Sequence, residues 1–187
     1  MNTPNKLTVG RMIMTPVFLI AVLLPVPHRF LWGIIVFALA SITDALDGRI
    51  ARKRNIITVF GKLADPVADK MLTTAALLVF MQEGLCNIWI IFIVLAREFL
   101  ITSIRLVASA QGVVIPANFW GKLKTISQMA FTILIMLFAE LESDGVWPAS
   151  VSLPLVSNIL LGITALLAVI SGVIYTVNSV KIIDFSK

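Results

Sequence analysis

Cysteine, histidine and tyrosine each occur once in this sequence of 187 residues, and charged residues make up only 13% of it. The lone thiol, Cys86, has no partner within the chain, which excludes an internal disulfide. The lone imidazole, His28, lies in a short turn after Pro27, where we expect no metal ligand. No internal repeat, low-complexity segment or soluble domain is visible. No small-residue cleavage site follows the first apolar run, so we expect no cleaved signal peptide.

Apolar residues dominate the sequence, at 59% of the chain with a mean hydropathy of +1.00. About 20 apolar residues are enough for an α-helix to cross a bilayer. Runs of roughly that length lie at residues 7–25, 30–52, 66–82, 87–107, 123–141 and 155–180. The sequence therefore predicts an all-α integral membrane protein whose six transmembrane helices form a single domain over residues 1–187.

The 15 basic residues are distributed unevenly between the two predicted sides of the membrane. Six spans place both termini on one side, and every Lys and Arg except Arg29 falls on that side. By the positive-inside rule, this side faces the cytoplasm. Its basic surface suits anionic lipid headgroups or an anionic substrate. We expect no nucleic-acid partner, because the basic residues lie at membrane level rather than on a soluble module.

Four aspartates form the most distinctive feature of the sequence, and their spacing is helical. Asp44 and Asp47 share one stripe of the second predicted helix, and Asp65 and Asp69 share one face of the third. Asp44 is expected about 21 Å into a hydrocarbon layer of about 30 Å, and a carboxylate at that depth is functional by default. Four carboxylates that converge from consecutive antiparallel helices repel one another unless a cation lies among them. The pattern predicts a divalent metal site.

The segment between these two helices, KRNIITVFGKLA, is expected to contain a loop. Gly61 is expected to give this loop backbone freedom. Pro66 is expected in the first turn of the third helix, where the missing N–H of proline is tolerated.

A second anomaly is an arginine near the centre of the fourth predicted helix. Arg97 is expected about 15 Å deep, near the bilayer midplane, and Arg105 follows on the same helix face near the cytoplasmic surface. An arginine at that depth must face a polar cavity. Together with the depth of Asp44, it predicts a polar active-site cavity that opens inward.

The acidic and small residues combine into one pattern of eight fixed positions, Asp44-x2-Asp47-Gly48-x2-Ala51-Arg52-x8-Gly61-x3-Asp65-x3-Asp69. At every fixed position this pattern resembles the signature of the CDP-alcohol phosphatidyltransferases. The resemblance extends to the opening PNKLTVGR, to AREFLITSIR between Ala96 and Arg105, and to WGKLKT between Trp120 and Thr125. These three segments are most similar to bacterial members that use glycerol 3-phosphate.

The resemblance implies an enzyme of phospholipid biosynthesis in the bacterial inner membrane. It implies transfer of a phosphatidyl group from CDP-diacylglycerol to sn-glycerol 3-phosphate, giving phosphatidylglycerophosphate and CMP. The four aspartates are implied to bind one or two Mg²⁺ or Mn²⁺ ions, which neutralise charge on the pyrophosphate, and Asp69 is implied as the general base. The residues implied to bind CDP-diacylglycerol are Asp47, Gly48, Ala51, Arg52 and Gly61.

The implied acceptor is a small dianion. Arg97, Arg105 and Lys124 are candidates for binding its phosphate, because arginine forks match phosphate oxygens. A structural pairing of Arg97 with Glu98 or with a motif carboxylate stays open, as does an interfacial anchoring role for Lys124.

Three further alternatives stay open at the level of the sequence. Another acceptor, such as inositol phosphate, serine or phosphatidylglycerol, uses the same chemistry. A divalent-cation transporter also carries intramembrane carboxylates. Small residues in the last predicted helix, such as Gly162 and Gly172, indicate close helix packing, within the chain or at a homodimer contact.

Overall fold

The computed structural model describes residues 3–54, 59–113, 115–116, 118–180 and 182, and the description leaves out the side chains at positions 3–8, 44–54, 59–66 and 69. This described part consists of six α-helices joined by short connections, without a β-strand. The helices are α1 (Thr3–Leu23), α2 (Arg29–Arg54), α3 (Val59–Gln82), α4 (Ile88–Ala110), α5 (Phe119–Ser143) and α6 (Leu153–Val180). The predicted all-α class is confirmed.

Helix length and composition indicate a membrane protein. The two helices α5 and α6 are long and apolar enough to cross a membrane. Shorter apolar helical stretches lie at Val9–Leu23, Arg29–Thr43 and Lys70–Gln82. The 23-residue helix α4 is also strongly apolar, but it contains the charged residues Arg97, Glu98 and Arg105.

The chain divides into two compact units. The first contains residues 1–83 and 132–153, and the second contains residues 84–131 and 154–187. Helix α5 therefore contributes its second half to the first unit and its first half to the second.

In the first unit, α1 packs against both α2 and α3. The rings of Phe18 and Phe37 are buried with their centroids 5.9 Å apart. Helices α1 and α2 approach closely at Gly33, where an added Cβ would overlap Cγ2 of Val22 and lie 3.4 Å from the sulfur of Met136. The absence of a side chain at Gly33 thus allows this packing.

In the second unit, α4 and α6 are joined at both ends. At the start of α4, the Asn87 side chain caps the helix by accepting the N–H of Trp89, and Ser157 of α6 donates to the carbonyl of Leu85. Near the end of α4, Tyr175 of α6 is buried against Ile101, Ile104 and Ala108.

Glycines in the left-handed region end two of the helices. Gly112 (φ 74°) follows α4, and Gly145 (φ 72°) follows α5. In each case the next residue donates its N–H back into the last turn, from Val113 to Ala108 and from Val146 to Leu141. These are the bonds of a Schellman C-cap, which favours glycine at the left-handed position.

The loop expected within the segment KRNIITVFGKLA does not include Gly61, and the residues between the two helices, 55–58, lie outside the described part of the chain. Helix α2 continues to Arg54 and α3 begins at Val59, so Gly61 lies in a helix rather than in a loop. The prediction that Pro66 lies in the first turn of the third helix is also wrong, because α3 begins two turns earlier. A proline within a helix removes one backbone hydrogen bond, but packing of the rest of the helix can offset that loss.

Candidate functional site

The motif carboxylates belong to two consecutive helices. Helix α2 includes Asp44 and Asp47, and helix α3 includes Asp65 and Asp69. The spacing predicted from the sequence is therefore present in the helical backbone, where residues three or four apart follow one face. The side chains themselves lie outside the described part of the structure. The remaining motif positions belong to the same two helices: Gly48, Ala51, Arg52 and Gly61.

An ion pair joins the start of α2 to the end of α3. Arg29 donates from Nη1 and Nη2 to the two carboxylate oxygens of Glu83, at 3.1 and 2.6 Å. The Arg29 guanidinium also lies over the ring of Phe30, with its Cζ 4.6 Å from the centroid. Because Arg29 begins α2 and Glu83 follows α3, both helices extend away from this point in antiparallel directions.

The distance of each motif aspartate from this ion pair, measured along its helix axis, can be compared between α2 and α3. With a rise of 1.5 Å per residue, Asp44 is about 22 Å along α2 from Arg29, and Asp69 is about 21 Å along α3 from Glu83. By the same rise, the two remaining positions are both about 27 Å from the ion pair: Asp47 and Asp65. The helix geometry thus puts Asp44 level with Asp69, and Asp47 level with Asp65, along the two helix axes. This arrangement of the backbone suits carboxylates that share one ligand.

Two of the three predicted phosphate-binding residues meet in the second unit. Arg97 Nη1 and Lys124 Nζ both donate to Oε1 of Glu98, at 2.8 and 2.6 Å. Arg97 Nε also donates to Oγ of Ser171 at 3.1 Å, and Lys124 Nζ to Oε1 of Gln128 at 2.6 Å. The side chains of Arg97 and Lys124 are only 12% and 2% exposed. Buried charges are costly unless they are paired and hydrogen-bonded, as they are here.

This network connects three helices of the unit. The bond between Glu98 and Lys124 joins α4 to α5, and the bond between Arg97 and Ser171 joins α4 to α6. The pairing of Arg97 with Glu98 that the sequence left open is present. Arg97 and Lys124 thus share Oε1 of Glu98 as a common acceptor.

Arg105, the third candidate, lies apart from this network. It is two turns beyond Arg97 on α4, about 12 Å along the helix axis. Its Nε donates to Oη of Tyr175 at 3.1 Å, and its Cζ lies 5.3 Å from the centroid of the same ring. Tyr175 is buried, whereas Arg105 is exposed, so the tyrosine orients a solvent-accessible guanidinium.

A separate polar cluster surrounds the start of α2. The buried carboxylate of Glu140 accepts the N–H of Phe30 at 3.1 Å through Oε2 and the Nδ1–H of His28 at 2.7 Å through Oε1. With Asp144, these side chains put three potential metal-ligating atoms within 4.8 Å of one another. Sequence reasoning missed this grouping because 112 residues separate His28 from Glu140. Both oxygens of Glu140 have protein partners, so its evident role is to cap α2.

The amino-acid sequence is similar to those of known proteins. The sequence matches the family model described as CDP-alcohol phosphatidyltransferase over residues 1–174. The chain belongs to the CDP-alcohol phosphatidyltransferase family.

Bacterial relatives of this phosphatidyltransferase are similar over most of their length. A protein of Bacillus subtilis named CDP-diacylglycerol–glycerol-3-phosphate 3-phosphatidyltransferase is 40% identical over 148 residues, which are 73% of this chain and 77% of the relative. A protein of the same name from Rickettsia bellii is 36% identical over 174 residues, 93% of each chain. A probable phosphatidylglycerophosphate synthase of Mycobacterium tuberculosis is 36% identical over 183 residues, 96% of this chain and 82% of the relative.

Two residues in the neighbourhood of Arg97 and Lys124 were not identified from the sequence. Ser171 is one of the small residues of the last helix that indicated only close packing, although its hydroxyl accepts from Arg97. Asn118 immediately precedes Phe119, the first residue of α5, and that position was a usable signal, because asparagine is a favoured N-cap residue.

An apolar groove of about 500 Å³ lies between α4 and α6 of the phosphatidyltransferase. Phe92, Leu100, Val169 and Val173 contribute to its walls, and Arg97 is its one charged lining residue. This groove differs from the polar, inward-open cavity expected from the sequence, which stays a prediction.

Proposed function

We propose that this protein transfers the phosphatidyl group of CDP-diacylglycerol to sn-glycerol 3-phosphate, giving phosphatidylglycerophosphate and CMP. The observation that carries this proposal is the complete eight-position motif, present on α2 and α3 of a chain that belongs to the CDP-alcohol phosphatidyltransferase family. Relatives that are 36% to 40% identical are named for this reaction or for its product.

The donor set of α2 and α3 fits a divalent metal. Asp44, Asp47, Asp65 and Asp69 offer hard carboxylate oxygens, which Mg²⁺ and Mn²⁺ prefer, from helix positions of matching height. These four residues would hold one or two ions. A bound ion neutralises charge on the pyrophosphate of CDP-diacylglycerol.

The reaction is a displacement at the phosphorus that carries the diacylglycerol. A hydroxyl oxygen of glycerol 3-phosphate forms the new bond to this phosphorus, and the bond to the CMP oxygen breaks with its electron pair. Asp69 accepts the proton of the attacking hydroxyl.

The remaining residues bind the two substrates. Gly48 and Ala51 leave room for the cytidine nucleotide along α2, next to the Asp47 stripe, and Arg52 binds its phosphates. Gly61 provides similar space on α3. The candidates for binding the acceptor phosphate are Arg97 and Lys124, which share Glu98, and Arg105, which lies about 12 Å further along α4.

The helices cross the bacterial inner membrane six times, with both termini on the cytoplasmic side. The strongly asymmetric distribution of Lys and Arg supports this orientation. The diacylglycerol chains stay in the lipid while the charged groups of both substrates enter a polar cavity from the cytoplasm.

The reaction is tested by CMP release from the purified protein in detergent with CDP-diacylglycerol and Mg²⁺. Glycerol 3-phosphate, inositol phosphate, serine and phosphatidylglycerol are offered separately. We expect release only with glycerol 3-phosphate. We also expect it to stop after addition of EDTA and to return with excess Mg²⁺ or Mn²⁺.

The other possible results of this assay would reject the acceptor, the metal site or the reaction itself. Release with a different acceptor would retain the chemistry and reject the proposed acceptor. Release that persists in EDTA would reject the metal site. No release with any acceptor from a folded sample would reject the transferase function, and metal uptake by proteoliposomes would then test the transporter alternative.

A further inference from the structure

Ser171 of α6 is a fully buried serine whose hydroxyl makes two hydrogen bonds. Its Oγ donates to the carbonyl of Ala168 at 3.1 Å and accepts the Nε–H of Arg97, also at 3.1 Å. A hydroxyl has only one hydrogen to donate, and the bond to Ala168 uses it. Ser171 therefore offers Arg97 an acceptor in a fixed position.

The next residue, Gly172, gives the stem of Arg97 room to cross α6. A Cβ built on Gly172 would lie 3.3 Å from Cγ of Arg97. Carbon atoms prefer a separation of about 3.5–4.0 Å, so even an alanine at this position would press on the stem. Ser171 and Gly172 thus constrain Arg97 at two points, with an acceptor at Nε and with space at Cγ.

The guanidinium of Arg97 is held at two of its three nitrogens. Nε donates to Ser171, and Nη1 donates to Oε1 of Glu98 at 2.8 Å. Nη2 makes no hydrogen bond to any residue that the structure describes. Because the guanidinium is planar and rigid, the two held nitrogens set the direction of the third. Ser171 and Glu98 together therefore decide where the unused donors of Arg97 point.

The two groups that hold the guanidinium differ in charge. Glu98 is a carboxylate, whereas Ser171 is neutral and orients Arg97 without offsetting its positive charge. The Arg97 side chain is only 12% exposed, so its stem is already restricted in the absence of a ligand. A side chain that is held in advance loses less conformational entropy when it binds an anion.

We propose that Ser171 and Gly172 are positioning residues for the acceptor, which hold Arg97 so that its Nη2 donates to the phosphate of sn-glycerol 3-phosphate. This inference rests on the proposed function, in which Arg97 is a candidate for binding that phosphate. Both residues act through the arginine rather than on the substrate. The competing explanation is that the bond between Arg97 and Ser171 only stabilises the packing of α4 on α6.

Ser171→Ala tests the acceptor oxygen, because it removes the hydroxyl and keeps a small, helix-forming residue. We expect the KM for glycerol 3-phosphate to rise about fivefold to tenfold, the size of one lost hydrogen bond, while the KM for CDP-diacylglycerol stays unchanged. Gly172→Ala should also raise the acceptor KM, since it displaces the stem of Arg97. Arg97→Lys removes the guanidinium Nε, so adding Ser171→Ala to that variant should cause no further rise.

Two other positions of α6 provide matched controls. Ser157→Ala removes another fully buried serine hydroxyl, which donates to the carbonyl of Leu85 and has no bond to Arg97. It should lower the thermal midpoint and leave both KM values unchanged. Gly162→Ala adds a Cβ at a position where the described structure has no packing atom within 4 Å. It should also leave both KM values unchanged.

The kinetic results can overturn the roles of Ser171 and Gly172 without affecting the proposed reaction. An unchanged acceptor KM in Ser171→Ala or in Gly172→Ala, with wild-type turnover intact, would do so. Equal rises in the KM of both substrates would also overturn the inference, because they indicate a general structural role. A further rise when Ser171→Ala is added to Arg97→Lys would show that Ser171 does not act through the arginine.

Binding of inorganic phosphate tests the same inference if the wild type does not turn over glycerol 3-phosphate and the proposed function fails. Phosphate that binds the folded protein raises its thermal midpoint. Ser171→Ala should reduce this rise, whereas Ser157→Ala should retain it. An equal rise in Ser171→Ala and the wild type, or no rise in the wild type, would overturn the inference.

Discussion

The proposed reaction gives Asp69 the role of general base. A single substitution can test this role separately from substrate binding. Asp69→Asn preserves the size of the side chain but removes its capacity to accept a proton. We expect turnover to fall by about 100-fold or more, the usual contribution of a general base. Binding of CDP-diacylglycerol should persist in part. CMP release and equilibrium binding of the lipid measure the two effects, and intact turnover would remove Asp69 as the base.

The role of Arg105 in acceptor binding can be tested together with that of Tyr175, which orients its guanidinium. Arg105→Ala should raise the KM for glycerol 3-phosphate about tenfold, because a charged hydrogen bond to the phosphate is lost, and should affect the KM for the lipid less. Tyr175→Phe keeps the ring under the guanidinium but removes the hydroxyl that contacts Nε at 3.1 Å. It should therefore cause a smaller change in the same direction. Equal effects of Arg105→Ala on both substrates would identify a general structural role.

Cys86 should be chemically inert. Burial raises the pKa of its thiol to about 11, and the residue is only 6% exposed in the connection between α3 and α4. At pH 8 roughly one thiol in a thousand is then the reactive thiolate, and this fraction grows as the pH rises toward 11. We expect maleimide to label Cys86 far more slowly than a cysteine at exposed Ser150, introduced as Ser150→Cys in a Cys86→Ala background. Comparable labelling rates at pH 8 would contradict this.

At the scale of the helices, Glu140 of α5 stabilises the start of α2. Its buried carboxylate accepts the N–H of Phe30, and a negative charge there interacts favourably with the helix dipole. Glu140→Gln should lower the free energy of unfolding by about 1–3 kcal/mol, because a buried charged hydrogen bond is lost. Thermal unfolding in detergent measures the change. The matched variant Glu142→Gln, at an exposed position of the same helix, should leave the midpoint unchanged.

The helices themselves could be predicted from the sequence, since each long apolar run corresponds to one observed helix. Their ends were harder to predict. A loop containing Gly61 was expected between Arg52 and Asp65, yet α2 continues to Arg54 and α3 begins at Val59, because a helix satisfies its own backbone hydrogen bonds whatever side chains it carries. Gly112 marks the end of α4 through a left-handed φ that few other residues adopt.

Contacts between distant helices could be predicted only in part. The spacing of the aspartates fixed their helix faces, and the depth of Arg97 indicated that it required polar neighbours. That Glu98 contacts Lys124, or that Arg105 contacts Tyr175, depends on how each helix is rotated about its axis. Side-chain packing decides that rotation, and hydrophobic periodicity alone does not specify it. The four motif side chains lie outside the described residues, so their convergence stays a prediction.

At the scale of the whole molecule, the uneven distribution of basic residues predicts which ends face the cytoplasm. In a Cys86→Ala background, Ser150→Cys in the exposed connection before α6 should react with a membrane-impermeant maleimide added to intact cells. Ile182→Cys, at an exposed position after α6, should react only after the membrane is opened. The reverse pattern would invert the proposed orientation, and labelling of both positions in intact cells would reject a membrane crossing by α6.

The buried network around Glu98 also constrains how the protein is made. Arg97 and Glu98 leave the ribosome as part of α4, but their partners Lys124 and Ser171 belong to α5 and α6, which are synthesised later. Until then Arg97 and Glu98 lack these two partners, and charged groups within a bilayer are costly. On the proposed topology, α4 must therefore wait beside the translocation channel, or enter the lipid together with α5. The bonds from Lys124 to Glu98 and from Arg97 to Ser171 can therefore form only after α5 and α6 have been synthesised.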